Sequence, residues 1–208
     1  MKETILNHPL VLHKISILRN KDTSTKEFRE LISEISMMLT IEALKDIELK
    51  EIKVETPITS TKGYQALIDD YLFVPILRAG LGMVDGVLKI IPNATIGHIG
   101  LYRNEETLEP VEYYAKFPSD IENKTVILLD PMLATGGSAV SAITLLKKRG
   151  VKRIKFLGII AASEGIERIK KEHPDVSIYV SHLDSGLNEN GYIIPGLGDA
   201  GDRIFNTK

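Results

Sequence analysis

The sequence predicts an α/β fold, a mainly parallel twisted sheet flanked by helices, and three observations carry the prediction. The runs Leu72–Leu77, Val126–Leu129 and Ile154–Ile160 are apolar almost throughout instead of alternating, the pattern of strands covered on both faces. Each is followed by a stretch at helical spacing: Met83, Val84, Val87, Leu88 and Ile91 after the first, Val140, Ile143 and Leu146 after the second, and residues 164–172 after the third. Strands that alternate with helices in this way are joined by right-handed crossovers and lie parallel.

Taken in order, Pro9 to Arg19 reads as a first helix, with proline tolerated in its opening turn. Ser24-Thr25-Lys26-Glu27 has capping-box spacing, and Phe28, Leu31, Ile32, Ile35, Met38 and Leu39 form one apolar stripe, so a second helix buries that face. Met37 and Met38 read as packing residues, not as cofactor contacts. Ile52 and Val54 alternate with charged neighbours before Pro57, and Thr59-Ser60-Thr61-Lys62-Gly63 supplies turn chemistry, which predicts an exposed β-hairpin or edge pair, a kind of element that often contacts a second subunit.

Leu72–Leu77 leads through Arg78-Ala79-Gly80-Leu81-Gly82 into a helix. Strand, Gly80-x-Gly82 and helix form part of a dinucleotide fingerprint, but Asp85 stands at the third glycine position and the unit lies far from the N-terminus. Thr95–Tyr102 reads as a strand, and the charged excursion Arg103–Pro110 as a mobile solvated loop before Val111–Lys116. Ser177–Val180 is a further strand.

The stretch Val126-Ile127-Leu128-Leu129-Asp130 and onward to Ser138 organises the rest. A buried strand ends at Asp130, and Thr135-Gly136-Gly137-Ser138 opens the next helix. Paired glycines let backbone N–H groups crowd around an anion, and the helix N-terminus adds partial positive charge, so the loop is suited to phosphate. Asp130 repels phosphate and suits hydroxyls or a metal ion, and a sugar phosphate satisfies both demands. The plain alternative is a strand-turn-helix connection without a ligand.

Composition sets limits. A chain of 208 residues with 43% hydrophobic and 26% charged residues suits one soluble domain with a sizeable core. The absence of cysteine excludes disulfides, a thiolate nucleophile and cysteine-ligated zinc, and with an N-terminus unlike a signal peptide it predicts a cytoplasmic location. A net charge of −2 offers no broad attraction to nucleic acid. The apolar stretch 126–146 is long enough to span a bilayer, but Asp130, Pro131 and the glycines inside it favour strand, loop and helix, so no membrane partner is expected. The five histidines show no metal-ligand spacing and read as structural.

The run Asp130-Pro131-Met132-Leu133-Ala134-Thr135-Gly136-Gly137-Ser138 resembles the phosphoribosyl-diphosphate (PRPP) signature of the phosphoribosyltransferases. Most of that family carries two adjacent acids, and Pro131 in place of the second matches the uracil phosphoribosyltransferase branch. Tyr102-Arg103-Asn104-Glu105-Glu106-Thr107 is similar to that branch's flexible flap, and Gly191–Phe205 to its base-binding tail. The last stretch formally contains Gly196-x-Gly198-x-x-Gly201, yet too little chain follows for a crossover unit, so its glycines specify a tight backbone-exposing loop.

The resemblance implies a type I phosphoribosyltransferase fold over one domain, residues 1–208, with N-terminal helices at about 9–45, a core at about 70–182 and a base-recognising hood at about 186–208. It implies transfer of ribose 5-phosphate from PRPP to N1 of uracil, giving UMP and diphosphate. PRPP contacts fall to Arg78, Arg103, Asp199 and the nine residues from Asp130 to Ser138; uracil contacts to Ile193, Gly198, Asp199 and Ala200; catalytic roles to Asp199, Arg103 and Arg78. Magnesium is expected with the diphosphate and without a dedicated protein metal site. A homo-oligomer and a GTP effector are family expectations. A purine-specific transferase and a PRPP-binding transcriptional regulator are the rival readings.

Overall fold

The computed structural model describes residues 2–103 and 110–207, with the side chains of Arg103 and Pro110 outside that description. Among the described residues the main sheet has nine strands. In chain order these are β1 (Glu3–Ile5), β4 (Tyr71–Leu77), β5 (Thr95–Ile96), β6 (His98–Arg103), β7 (Pro110–Lys116), β8 (Thr125–Leu129), β9 (Met132–Leu133), β10 (Arg153–Ala161) and β11 (Ser177–Leu183). The main order is β1-β11-β10-β8-β4-β6-β7, with β5 beside β4 and β9 beside β10. The pairings are parallel except β6 with β7.

β8 is buried at every residue, which explains its unbroken apolar run. Successive side chains serve opposite faces. Ile127 and Leu129 join a core shared with α1 (Pro9–Arg19), α2 (Thr25–Ala43) and α3 (Leu81–Ile90). Val126 and Leu128 join a second core beneath α4 (Gly137–Lys148) and α5 (Ser163–Glu172). The expected sheet with helices on both faces is the structure found. The apparent bilayer span is β8, a loop and α4, and among the described residues no helix is long and apolar enough to cross a membrane.

The expected cap of α2 forms, with Ser24 Oγ accepting the Glu27 N–H at 3.2 Å. Its buried stripe is wider than the apolar pattern, because Ser33, Ser36 and Thr40 are buried too. Ser36 and Thr40 donate to carbonyls one turn back, at 2.7 Å each, so burial leaves neither hydroxyl unpaired. Small side chains are needed there because α3 crosses closely at Gly86, where an added Cβ would lie 2.3 Å from Ser33 O.

Elsewhere the structure corrects the sequence reading. The hairpin of β2 (Leu49–Glu55) and β3 (Ser60–Ala66) turns at Thr56–Thr59, so Ser60 to Gly63 are strand residues. Thr56 Oγ1 accepts the N–H groups of Ile58 and Thr59, a side-chain turn that its neighbour Pro57 masked in the sequence. Gly97 divides the expected 95–102 strand into β5 and β6. Val111–Lys116, unassigned from sequence, falls within β7. β12 (Gly186–Leu187) and β13 (Ile193–Ile194) form a small hairpin, and the tail does not stay a loop but ends in α6 (Ala200–Phe205). The expected mobile excursion at 104–109 lies outside the described residues.

Candidate active site

The loop between β8 and α4 is held from below by β10. Asp130 N–H donates to Leu157 O at 3.1 Å, and Pro131 O accepts from Ile159 and Ile160 at 3.0 and 3.1 Å. Pro131 and Leu133 are buried, Met132 and Ala134 half-buried, and Thr135 and Ser138 exposed at the rim. Gly136 has φ +76°, a left-handed conformation that a side chain would strain, and an added Cβ would also press on Gly165 O at 3.0 Å. From that turn α4 starts at Gly137, with first-turn N–H groups that no helical carbonyl can satisfy. Residues from Asp130 and Met132 to Ala139 line a cavity of about 80 Å³.

Asp130 stands at the mouth of this cradle with its carboxyl packed closely by protein. Burial pushes its pKa up to about 7, offset only partly by the Met132 N–H, 3.4 Å from Oδ1. The group is therefore divided between acid and carboxylate near neutral pH, and a hydroxyl donor or cation alongside it favours the carboxylate.

β4 is the neighbour of β8, and Arg78-Ala79 follows its last residue. From β4 the chain crosses to β6 on one side, and from β8 to β10 on the other. The gap between the ends of β4 and β8 is thus the point where strand order reverses, the usual ligand crevice of such sheets. Gly80 lets the first turn press against β8: an added Cβ there would stand 2.4 Å from Leu129 O. The Leu77–Arg78 peptide is cis. Arg78 is exposed, 3.5 Å from Asp202 Oδ1 and 5.9 Å above the Phe205 ring.

The tail closes over both loops. A Cβ added to Gly191 would lie 3.4 Å from Thr135 Cγ2, and one added to Gly201 would lie 3.9 Å from both Ala79 Cβ and Arg78 Nη2. One hood therefore reaches from the cradle to the β4–α3 turn. Ile193 and Ala200 are buried, while Gly198 and Asp199 are exposed. The N–H groups of Gly198, Asp199 and Ala200 and the carbonyl of Gly198 have no hydrogen-bond partner among the described residues. Asp199 caps α6, with Oδ1 accepting the Asp202 N–H at 2.9 Å. Arg103 closes β6 by its backbone, and its side chain lies outside the described residues.

Sequence reasoning missed the residues that hold the hood. Arg19, at the end of α1, donates to both oxygens of Asp184, with 2.8 Å from Nη1 to Oδ2, and also donates to Gly196 O at 2.8 Å. Asp184 Oδ2 in turn accepts the Gly196 N–H at 3.0 Å. Both main-chain groups of Gly196 are thus fixed by one pair, a buried carboxylate and a half-buried guanidinium. Arg203 donates to Leu18, Asn20 and Leu197 carbonyls at 2.7–2.8 Å, and Arg29 Nε to Ile204 O at 2.5 Å. No local signal marks these residues, because Arg19 and Asp184 stand 165 positions apart.

A family model described as uracil phosphoribosyltransferase matches residues 5–207. The chain belongs to the uracil phosphoribosyltransferase family. The uracil phosphoribosyltransferase of Clostridium botulinum (strain Eklund 17B / Type B) is 60% identical over 203 residues, covering 98% of this chain and 97% of that one. The solved structure of the AQ2163 protein from Aquifex aeolicus aligns with TM-score 0.92 and 44% identity over 99% of both chains. A hypoxanthine phosphoribosyltransferase from Staphylococcus aureus, at TM-score 0.52, 19% identity and 76% of each chain, shares the fold alone. Uracil phosphoribosyltransferases are pentosyltransferases, so this chain is an enzyme of that class.

Proposed function

We propose that the cleft between β4, β8 and the hood is where this enzyme transfers ribose 5-phosphate from PRPP to N1 of uracil, giving UMP and diphosphate. The observation that carries the reading is the meeting of three loops at the strand-order reversal: the cradle at Thr135, the turn at Arg78–Ala79 and the hood at Gly191 and Gly201. Family membership supports the same chemistry.

In this reading the α4 N-terminus, Thr135 and Ser138 hold the 5-phosphate, and Asp130 accepts from the ribose hydroxyls. Arg78, with Arg103, offers a guanidinium fork to the departing diphosphate. Transfer passes through an anomeric carbon with oxocarbenium character, and needs no protein nucleophile. Uracil presents two carbonyl acceptors around an N–H donor, which the unpartnered N–H groups and the Gly198 carbonyl complement. Cytosine reverses the group at C4 and leaves such partners unmatched.

No group of three or more metal-ligating side chains occurs among the described residues. Asp130 and Asp199 are single carboxylates that fit magnesium carried in by the diphosphate, not a protein cage. When bound, the ion supplies charge neutralisation on the leaving group. A homo-oligomer is supported by the β2–β3 hairpin, which forms its own sheet and leaves Leu49, Ile58 and Tyr64 exposed. A GTP effect rests on family resemblance, and a cytoplasmic location on the absence of cysteine.

The test is incubation with magnesium, PRPP and each nucleobase in turn. UMP formation from uracil, with no product from cytosine or hypoxanthine, is expected. Equal turnover of a purine, or PRPP binding without turnover, would replace this reading with one of its rivals.

A further inference from the structure

We propose that Arg168, on α5, is a further anion-binding residue of the cradle and reaches the 5-phosphate from beside the loop. The inference rests on the assignment of the Asp130–Ser138 loop to that phosphate.

Among the described residues, those that line the cradle, Asp130 and Met132 to Ala139, include no lysine or arginine, and their one charged side chain is a carboxyl. A phosphate dianion held there by neutral donors alone would sit beside Asp130 without a cation. α5 supplies one. Gly165 lets this helix press onto the loop, since an added Cβ would stand 2.5 Å from Ala134 O and 2.8 Å from Leu133 O. Arg168 follows three residues later, on the same helix face.

Its contacts confirm that placement. Arg168 Cβ lies 3.3 Å from the position a Cβ on Gly136 would take. Arg168 Nη1 lies 3.5 Å from the corresponding position on Gly137, and Thr135 Oγ1 lies 3.6 Å from that same point. The space left by the missing Gly137 side chain is therefore bordered by a guanidinium on one side and the Thr135 hydroxyl on the other. Glu172 Oε1 accepts from Arg168 Nε at 3.0 Å, which orients the side chain while engaging only one edge of the fork. The side chain is 44% exposed, so a ligand entering from solvent can reach it. The two glycines then have a second use beyond exposing N–H groups: they make room for a cation from the neighbouring helix.

The experiment compares the parent enzyme with Arg168→Gln, Arg168→Lys and Ser138→Ala, measuring UMP and uridine affinities over a salt series. Arg168→Gln keeps the aliphatic stem packed and removes the charge. It is expected to weaken UMP about 3–10-fold at low salt, to leave uridine unchanged and to flatten the salt dependence of UMP binding, with Arg168→Lys between. Parent-like UMP affinity and salt dependence in Arg168→Gln, while Ser138→Ala weakens UMP, would overturn the Arg168 assignment alone. If neither variant changed UMP affinity, the cradle assignment itself would fall, and this inference with it.

Discussion

Arg78 Nη2 and Asp202 Oδ1 lie 3.5 Å apart, so the turn after β4 and the first turn of the tail helix are joined by opposite charges. Asp202 also receives the Thr207 hydroxyl at 2.6 Å, which ties this contact to the chain's last turn. A diphosphate drawing on Arg78 has to compete with that carboxylate. The pair is partly exposed and worth at most about 1 kcal/mol. Asp202→Asn is therefore expected to lower the KM for PRPP by up to about 5-fold, whereas Arg78→Ala raises it by about 10-fold or more. Initial rates at saturating uracil decide both.

Asp130 gives the account a pH signature. Its folded pKa of about 7 lies above the ordinary 3.8, so the folded protein binds the extra proton between those values and loses stability as pH rises through them. Asp130→Asn removes that cost, and its thermal midpoint should exceed the parent's by more at pH 8 than at pH 5. In the proposed role Asp130 binds ligand as the carboxylate, so PRPP affinity of the parent should climb as pH passes through about 7. The Asn variant should bind weakly and lack that rise. Calorimetric titrations across this range check both signs.

Most of the fold was legible because burial on two faces leaves a one-dimensional mark. The unbroken apolar run of β8 and the Ser24–Glu27 cap of α2 need only neighbouring residues to be read. The β1 edge strand had no such mark: three residues, two of them exposed, pair with β11 only because α1 and the rest of the core place them there. α6 was hidden by glycines that read as loop, and by Asp199, whose fitness as a cap shows only when its acceptor role toward Asp202 is known. The candidate cradle from Asp130 to Ser138 was legible as a local motif, a strand end followed by paired glycines and a helix start. Arg19, Asp184 and Arg168 act across distant segments, and nothing in their own surroundings along the chain announces them.

Asp199 separates structure from chemistry. As an N-cap it is replaceable by Asn, while Ala costs about 1 kcal/mol of helix stability. Asp199→Asn should keep the parent's thermal midpoint and uracil affinity yet reduce kcat strongly, and Asp199→Ala should lose both stability and rate. An unchanged kcat in Asp199→Asn would remove its carboxylate from the mechanism.

The Arg19–Asp184 pair predicts a selective defect. Asp184 is buried, and removing its partner leaves a carboxylate without its main counter-charge, at a cost of about 3 kcal/mol or more. Arg19→Lys keeps the charge but cannot span both oxygens and Gly196 O at once. It should raise the KM for uracil more than the KM for PRPP, because Gly196 belongs to the hood and not to the cradle. Equal changes in the two constants would count against that division.

The central claim is that cradle and hood grip opposite ends of one molecule. Its most direct measurement is the affinity of UMP and of uridine for the parent, Ser138→Ala and a Gly198→Ala variant, whose φ of +82° makes the substitution disruptive to the hood. The account predicts that Ser138→Ala erases much of the advantage of UMP over uridine, while Gly198→Ala weakens both ligands alike. If Ser138→Ala weakened the two equally, or UMP held no advantage in the parent, the phosphate would not be seated at this loop and the claim would be contradicted.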